Sequence, residues 1–422
     1  MKRILIIRLA LLIVCALSFD VAFAQDVRQK PVVKKQTTTT TKQTTSTPKK
    51  QNKGVAKKNT VSSTNKQTTA STKKQQTPVS TETTIETSTE ATTENTEKKR
   101  NSVYFLWAEN TNGFCEGLAI VKDAYGKYGY IDKSGQIVIP CQWKSASDFN
   151  KGLARVQDSN DKWGFIDKTG MIAISCQWDY ALDFGDGLAA VQDSNDKWGF
   201  IDKTGQVVIA CQWNKAGYFI EGLAAVQDSN DKWGFIDKTG QVVIPCKWKN
   251  TWSINEGLAA VQDANDKWGF IDKTGKLVVR CKWNDTSWNF NEGLVAVKDA
   301  KGKWGYIDIT GKVVIPCQWG KAWDFVDGWA DVKDTNDKWG FIDKTGRVVI
   351  PCKWNKTWGF REGLAAVRDD NYQWGFIDKT GRLVIPCQWH RANSFREGLA
   401  LVSESILDYY FIDKTGQKVV WE

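Results

Sequence analysis

An aromatic–glycine pair that recurs at a fixed interval constrains the fold of this chain more than any other feature. The aromatic position is occupied by Tyr128, Trp163, Trp198, Trp233, Trp268, Trp304, Trp339 and Trp374, and a degenerate ninth copy has Tyr409-Tyr410. The spacing is 35 residues, except for 36 between Trp268 and Trp304, where the additional residue falls in the loop after a cysteine. Because a constant interval of this length is typical of tandem structural repeats, we treat the chain as one repeated unit rather than a set of unrelated domains.

Each copy contains three segments with strand patterns and none with a sustained helical period. In one copy the first strand runs from Leu188 to Asp193, and the second from Trp198 to Asp202. The third begins at Val207 and alternates apolar residues at period two up to Trp213. The residues between them are rich in Asp, Asn and Gly, as hairpin turns require, and one turn position favours positive φ. The pattern predicts an all-β domain built from three-stranded repeats.

The repeated segments GLAxV, KWGFIDKTG and VVIPxxW resemble the WG-repeat family of bacterial proteins, also called KWG repeats. The resemblance covers residues 103–422 in nine copies. This chain departs from the family pattern by cysteine where a second proline is common, and by tryptophan where tyrosine is common two residues later. The resemblance implies a β-repeat domain without enzymatic activity or a cofactor.

The copies can stack as an open array or close into a ring. A four-stranded propeller blade usually takes about 40–50 residues, so three strands in 35 residues are few. The last copy also has its own third strand, Gln417 to Trp421, while Val103 to Trp107 forms an additional strand at the front. A ring closed by a split blade would lack one of these two. We therefore predict an open, twisted, solenoid-like array, with a closed β-propeller-like ring as the alternative.

The N-terminal part of the chain divides into an export signal and a linker. Basic residues precede an apolar run from Leu9 to Leu17, and Ala22-Phe23-Ala24 provides the small-residue pattern of a signal peptidase site. A lipoprotein signal at Cys15 is the alternative, although Val14 stands where that signal needs a small residue. We predict a signal peptide at 1–24, a disordered Thr/Lys/Gln-rich linker at 25–102 and the repeat domain at 103–422. The mature protein is then periplasmic, secreted or on the surface of a bacterial cell.

The net charge of +10 does not indicate nucleic-acid binding. Residues 25–102 carry 16 basic and six acidic side chains, whereas residues 103–422 carry 39 basic against 41 acidic. The repeat domain therefore has no overall basic footprint. The linker is interpreted as a solvated spacer, or as a basic segment that binds anionic polymer or lipid headgroups. No later segment approaches the ~20 apolar residues of a transmembrane span.

Four consecutive copies have a tryptophan in the variable loop, where the other copies have different residues. These are Trp252, Trp288, Trp323 and Trp358. An exposed apolar stripe is typical of a binding surface, so these four are the predicted ligand-binding residues. The alternative is local packing with the loop residues Ile254, Phe290, Phe325 and Phe360. The predicted partner is an envelope or extracellular protein, or a cell-surface glycan; the oligomeric state is not predicted.

Three other patterns are better explained by structure than by chemistry. The IDKTG segments resemble the phosphorylation motif of P-type ATPases but lack its final threonine, so we interpret them as turns. The Asp/Asn-rich hairpins lack the bidentate glutamate of a calcium loop. Eight cysteines share one column, interpreted as core packing, with disulfides as the alternative and metal binding disfavoured by the single histidine, His390. No catalytic residue and no metal site are predicted, although the Glu-Gly pairs, such as Glu221-Gly222, suggest carboxylate chemistry.

Overall fold

The computed structural model of the protein describes residues 113–405 and 408–421. The predicted signal peptide, the linker and the front strand at Val103 to Trp107 lie outside these residues. Within them the chain forms nine antiparallel sheets in chain order, here called blades 1 to 9. The all-β prediction is confirmed.

The strands of blades 1 to 5 follow the repeat. Blade 1 has β1 (Ala119–Lys122), β2 (Tyr128–Ile131) and β3 (Ile137–Trp143). Blade 2 has β4 (Ser145–Ala146), β5 (Leu153–Gln157), β6 (Trp163–Asp167) and β7 (Ile172–Trp178), and blade 3 has β8 (Tyr180–Ala181), β9 (Leu188–Gln192), β10 (Trp198–Asp202) and β11 (Val207–Trp213). Blade 4 has β12 (Lys215–Ile220), β13 (Leu223–Gln227), β14 (Trp233–Asp237) and β15 (Val242–Trp248), and blade 5 has β16 (Asn250–Thr251), β17 (Leu258–Gln262), β18 (Trp268–Asp272) and β19 (Leu277–Trp283).

Blades 6 to 9 continue in the same order. Blade 6 has β20 (Asp285–Thr286), β21 (Leu294–Lys298), β22 (Trp304–Asp308) and β23 (Val313–Trp319), and blade 7 has β24 (Lys321–Ala322), β25 (Trp329–Lys333), β26 (Trp339–Asp343) and β27 (Val348–Trp354). Blade 8 has β28 (Lys356–Thr357), β29 (Leu364–Arg368), β30 (Trp374–Asp378) and β31 (Leu383–Trp389), and blade 9 has β32 (Arg391–Ala392), β33 (Ala400–Ser403) and β34 (Tyr409–Ile412).

The prediction of three strands per repeat was wrong, because each of blades 2 to 8 has four. The fourth is a short strand in the variable loop, and it pairs with the first of the three long strands. In most blades it has only two residues, such as β16, where Asn250 pairs with Gln262 and Thr251 with Val261. Two residues show no alternation of apolar and polar side chains, so the sequence pattern could not reveal them. They also let four strands fit into 35 residues.

The prediction of an open, solenoid-like array was also wrong, since the blades close into a nine-bladed propeller ring, which was the alternative. Blades 1 and 2 are joined by Glu116, whose carboxylate accepts hydrogen bonds from the backbone N–H groups of Lys151 and Gly152 at 2.7 and 3.0 Å. The same contact joins blade 9 to blade 1, where Glu397 accepts from the N–H of Gly117 at 3.1 Å. The first and last repeats therefore meet as ordinary neighbours do, and no split blade is needed.

Apolar packing at the closure covers the faces that an open array would expose. The rings of Phe114 and Phe411 lie 4.9 Å apart and belong to one buried cluster of blades 1 and 9. The predicted last strand, Gln417 to Trp421, is reduced to a bridge of Lys418 with Ile412. Trp421 nevertheless reaches blade 1, where its indole N–H donates to the carbonyl of Lys133 at 3.0 Å. The C-terminal segment thus helps to close the ring.

The glycine of each aromatic–glycine pair is required by a close approach between two strands. The third long strand bulges against the second, so the register between them shifts on both sides of Phe235 in blade 4. A Cβ atom at Gly234 would lie 2.4 Å from the carbonyl oxygen of Ile244. No side chain fits at that distance, which explains why the pair recurs in every complete copy.

The core lies between neighbouring blades. The phenylalanine of one WGF segment packs against the loop phenylalanine of the next blade, as for Phe200 and Phe219 with ring centroids 4.7 Å apart. Phe290 and Phe360 make the same contact, and Phe325 makes it with a tyrosine, Tyr306. These are three of the four loop residues predicted as alternative packing partners of the loop tryptophans. Within the described residues, no helix has the length and apolar character needed to cross a lipid bilayer.

Candidate functional site

Three of the four loop tryptophans occupy one equivalent position directly after the short strand. The backbone N–H groups of Trp252, Trp323 and Trp358 donate to carbonyls of the first long strand, those of Ala260, Asp331 and Ala366, at 2.9–3.0 Å. The backbone bond continues the pairing of the short strand and holds each indole at the same edge of its blade. We call this the short-strand edge.

Trp288 is displaced by the inserted residue of blade 6. Ser287, rather than Trp288, donates its N–H to Ala296 at the equivalent position. The indole of Trp288 lies instead beside that of Trp252, with ring centroids 6.2 Å apart and an interplanar angle of 43°. The four predicted residues thus form a half-buried pair, Trp252 and Trp288, and two separate indoles.

Trp323 and Trp358 are the exposed members of the set, at 40% and 42% of their surface. Each stacks on the tryptophan of the aromatic–glycine pair in its own blade. The ring centroids of Trp323 and Trp339 lie 6.3 Å apart with an interplanar angle of 9°, and those of Trp358 and Trp374 lie 5.8 Å apart with an angle of 4°. The ammonium groups of Lys321 and Lys356 lie 4.5 and 4.3 Å from the centroids of the two exposed indoles. The exposed half of the set therefore combines aromatic rings with positive charge.

Blade 7 also buries two carboxylates at its short-strand edge. Asp331 is 5% exposed and accepts a hydrogen bond from the hydroxyl of Thr357 in blade 8 at 2.5 Å. Burial raises the pKa of Asp331 to about 7 and that of Asp324 to about 6. The carboxylates face Tyr306, whose pKa is raised by its own burial and by the nearby charges of Asp324 and Asp331. Burial therefore moves the titration of both carboxylates toward neutral pH, which the repeat pattern does not predict.

The IDKTG segments are turns, as predicted. In blade 3 the carboxylate of Asp202 accepts from the N–H and hydroxyl of Thr204 at 2.8 and 2.6 Å and from the N–H of Gln206 at 3.1 Å. The hydroxyl bond lowers the pKa of Asp202, and Gly205 takes a φ of 85°. The first hairpin likewise has Asp196 at a φ of 60°, which confirms the expected positive φ. The carboxylates are thus committed to holding the turns.

The Glu-Gly pairs join neighbouring blades. Glu221 accepts from the N–H of Gly257 in the next blade at 3.1 Å. Lys273 of that blade donates to the backbone carbonyl of Glu221 at 3.1 Å and pairs with its carboxylate at 2.9 Å. We call this arrangement the interblade latch. Its glutamate has a φ of 51°, so each latch also holds a residue in the left-handed region.

The cysteine column lies on the third long strands, half-buried against the first. The Cys211 thiol, for example, lies 4.0 Å from the carbonyl oxygen of Val191. Burial raises the pKa of this thiol to about 11, so it is un-ionised at neutral pH. The eight cysteines of the column, from Cys141 to Cys387, form no disulfide among the described residues. Among the described residues, no cluster of three or more His, Cys, Asp or Glu side chains is arranged to hold a metal ion.

Sequence reasoning missed the charged residues of the short-strand edge in blades 7 and 8. Asp331 stands where blades 3 to 6 have alanine, and Tyr372 stands at a turn position where most copies have aspartate. Arg368 stands where blades 2 to 5 have glutamine. Comparing the copies column by column would have shown these departures. Their grouping at one edge required the pairing of the short strand.

The ring of repeated four-stranded sheets defines a repeat β-propeller protein. Eight consecutive segments match the family model described as WG containing repeat, at residues 128–163, 163–198, 198–233, 233–268, 268–304, 304–339, 339–372 and 374–404. The chain therefore belongs to the WG-containing repeat family, and the resemblance seen in the sequence is confirmed.

Three solved structures are similar to this chain at low sequence identity. The computationally designed Ika8 protein is 11% identical, with a TM-score of 0.43, over 64% of this chain and 96% of that one. BamB from Moraxella catarrhalis is 10% identical, with a TM-score of 0.38, over 62% and 94%. Hsv2 from Kluyveromyces lactis is 8% identical, with a TM-score of 0.34, over 62% and 94%. A comparison with curated proteins found no match.

Proposed function

We propose that this protein is an exported, non-enzymatic scaffold that binds protein partners at the bacterial cell envelope. The repeat-propeller fold suits a binding scaffold, since it presents one edge and one set of turns from every blade. The proposal of a non-enzymatic role is supported by the commitment of the turn and latch carboxylates to structure. The envelope location is supported by the signal-peptide pattern of residues 1–24.

The proposal of a protein partner is based on exposed apolar side chains that recur around the ring, here called the apolar band. The third long strand of each of blades 1 to 8 begins with one or two exposed aliphatic side chains. They are Ile137, Val138, Ile172, Val207, Val208, Val242, Val243, Leu277, Val278, Val313, Val314, Val348 and Leu383. Exposed apolar side chains grouped on a surface are typical of protein interaction sites. Because the same strand positions are exposed in neighbouring blades, a partner can contact several blades at once.

A photo-crosslinking residue at Val208 of the full-length protein tests this band in cells. We expect a discrete crosslinked partner from this position and none from a control at Asn195, an exposed turn residue of the same blade. Replacing Val207, Val208, Val242 and Val243 by threonine keeps the β-branched shape, and should remove the adduct formed from a neighbouring band position, Leu277. Equal adducts from Val208 and Asn195 would contradict the proposal.

Export is tested by the mass of the mature protein. Cleavage after Ala24 leaves Gln25 as the first residue, and the protein should be found in the envelope or medium rather than the cytoplasm. A lipid attached at Cys15 would instead establish the lipoprotein alternative. An uncleaved chain in the cytoplasm would contradict both.

Glycan binding is the second candidate, favoured by the exposed indoles of Trp323 and Trp358 at the short-strand edge. Flat exposed indoles pack against the apolar faces of sugar rings. The test is co-sedimentation of the full-length protein with peptidoglycan and capsular polysaccharide, beside a variant with alanine at Trp252, Trp288, Trp323 and Trp358. Glycan binding should collapse in that variant, whereas a partner bound along the apolar band should be retained.

A further inference from the structure

Blade 8 places two positive charges directly opposite each other at its short-strand edge. Lys356 of β28 pairs across the sheet with Arg368 of β29. The equivalent pairs of blades 2, 3 and 5 are uncharged, as in Asn250 with Gln262, whereas blade 7 also has two cations there, Lys321 opposite Lys333. Like charges on directly opposed residues destabilise a sheet. Burial and the charge of Arg368 both lower the pKa of Lys356, so the pair has a cost that the fold itself does not require.

The carboxylate that would offset this charge is replaced in blade 8. In blade 7, Lys333 occupies the position of Arg368 and pairs with Asp337 at 2.7 Å. The residue equivalent to Asp337 in blade 8 is Tyr372, whose ring centroid lies 5.1 Å from the guanidinium carbon of Arg368. Tyr372 has a φ of 61°, a conformation that aspartate adopts more readily than tyrosine. An aromatic ring thus stands where local geometry favours an acid.

The two remaining acidic residues of this turn have other partners. Asp369 accepts from the N–H groups of Asn371 and Gln373 at 3.0 and 2.9 Å, and so forms the turn itself. Asp370 pairs with Lys338 of blade 7, which lowers the pKa of Asp370. The buried Nε of Arg368 has no hydrogen-bond partner within the part of the chain that the structure describes. A buried donor is costly to leave unpaired, so the guanidinium of Arg368 has hydrogen-bonding capacity that the described chain does not use.

Exposed aromatic rings surround these cations. Trp358 is 42% exposed and Tyr372 66% exposed. The ammonium of Lys356 lies 4.3 Å from the Trp358 ring centroid, and the guanidinium of Arg368 lies 5.7 Å from that of Trp374. Two cations and two exposed rings therefore share one patch, which we call the blade 8 patch: Lys356, Trp358, Arg368 and Tyr372.

We propose that the blade 8 patch binds an acidic sugar residue of a polysaccharide. The sugar carboxylate is bound by Arg368 and Lys356, and the face of the sugar ring packs against the indole of Trp358. Charge complementarity selects an anion, because the patch has two cations and its acids are already engaged. Flat exposed rings favour a sugar over an acidic peptide, whose side chains would need pockets. The inference rests on the second candidate function and specifies its ligand class.

The test measures binding of trigalacturonate, maltotriose and triglutamate to the full-length protein in 0.15 M NaCl by calorimetry and intrinsic tryptophan fluorescence. All 22 tryptophans lie at or beyond Trp107, so the fluorescence signal comes from the repeat domain. The variants are Arg368→Gln and Tyr372→Asp, which introduce the residues that other blades carry at those positions. Lys333→Gln in blade 7 is the matched control, since it removes one positive charge that is already paired with Asp337.

We expect saturable binding of trigalacturonate that weakens about ten-fold or more in each blade 8 variant and changes less than about two-fold in the control. Thermal unfolding of each variant verifies that it is folded. The basic linker is common to all the proteins, so binding that is unchanged in both blade 8 variants would overturn the proposal. Equal affinity for triglutamate would show that the patch recognises an acidic peptide instead. Equal affinity for maltotriose would refute the proposal of an acidic sugar ligand while supporting glycan binding. If neither saccharide binds, both the acidic-sugar proposal and glycan binding are refuted.

Discussion

Blades 5 and 8 have the same strand pairing and almost the same core, yet their short-strand edges differ in charge and exposure. Blade 5 has Asn250 opposite Gln262 and a half-buried Trp252. Blade 8 has Lys356 opposite Arg368, with Trp358 exposed beside them. The backbone of the two blades is held by features they share, so the edge residues can change without changing the register. The difference teaches that the short-strand edge of this ring can change its charge and exposed side chains while the strand pairing stays the same.

The largest expected effect on stability comes from the glycine at the close approach of the second and third long strands, a feature that blades 5 and 8 share. Gly234→Ala places a Cβ 2.4 Å from the carbonyl of Ile244, so the second and third long strands must separate. We expect the free energy of unfolding to fall by more than about 4 kcal/mol, measured by chemical denaturation. Gly217→Ala is the control, because its Cβ would meet Ala225 at an ordinary 3.8 Å. Equal losses in the two variants would show that the close approach is not what preserves the glycine.

An intermediate effect on stability is expected at a buried carboxylate that blade 7 has and blade 5 lacks. Asp331 stands where blade 5 has Ala260, and burial raises the pKa of Asp331 to about 7, above its value of about 3.9 in an unfolded chain. The folded protein therefore retains this proton between the two values, and stability is lost as the pH rises toward 7. Asp331→Asn should raise the free energy of unfolding by about 4 kcal/mol at pH 8, at about 1.4 kcal/mol per pKa unit, and leave it nearly unchanged at pH 4.

Asp337→Asn is the contrasting variant in the same blade. Its hydrogen bond and charge interaction with Lys333 lower the pKa of Asp337, so its contribution is present above the unfolded pKa and is lost as the pH falls. This variant should be slightly less stable than the wild type at pH 8. If Asp331→Asn shows no dependence on pH, the carboxylate is not protonated in the folded ring.

The smallest expected effect on stability is that of replacing one latch glutamate. It allows the interface between blades 9 and 1, where the ring closes, to be compared with an ordinary interface between blades. Glu397→Gln and Glu221→Gln each replace the charged acceptor of one interblade latch, the first between blades 9 and 1 and the second between blades 4 and 5. Each should lower the free energy of unfolding by about 1 kcal/mol, because the amide retains only part of the charge-assisted bonding. A loss for Glu221→Gln without one for Glu397→Gln would mean that the ring is open in solution.

The repeat period predicted the long strands and their turns because each depends on residues close in sequence. The Asp202 to Gly205 turn, for instance, is defined by its own side chains. The two-residue short strand was not predictable, since it depends on pairing rather than on periodicity. Closure depends on contacts such as Glu397 with Gly117, separated by 280 positions, and no local pattern encodes the angle between blades.

The candidate site was predicted in part. The loop position of Trp323 and Trp358 followed from aligning the copies, but their greater exposure relative to Trp252 depends on which side chains surround them. Trp288 could not be placed, because an insertion in a loop leaves the alignment ambiguous by one residue. The pairing of Lys356 with Arg368 required the short strand, and so it could not be derived from the sequence.

Closure of the ring has a consequence for how the domain unfolds. In an open array a terminal repeat can detach and leave its neighbours folded, because each unit contacts only the next. Here the packing of Phe114 against Phe411 means that every blade has two neighbours and none is terminal. Removing one blade would expose two apolar faces rather than one. The domain should therefore lose its structure in a single cooperative transition, and a truncated form would not be a shorter version of the same ring.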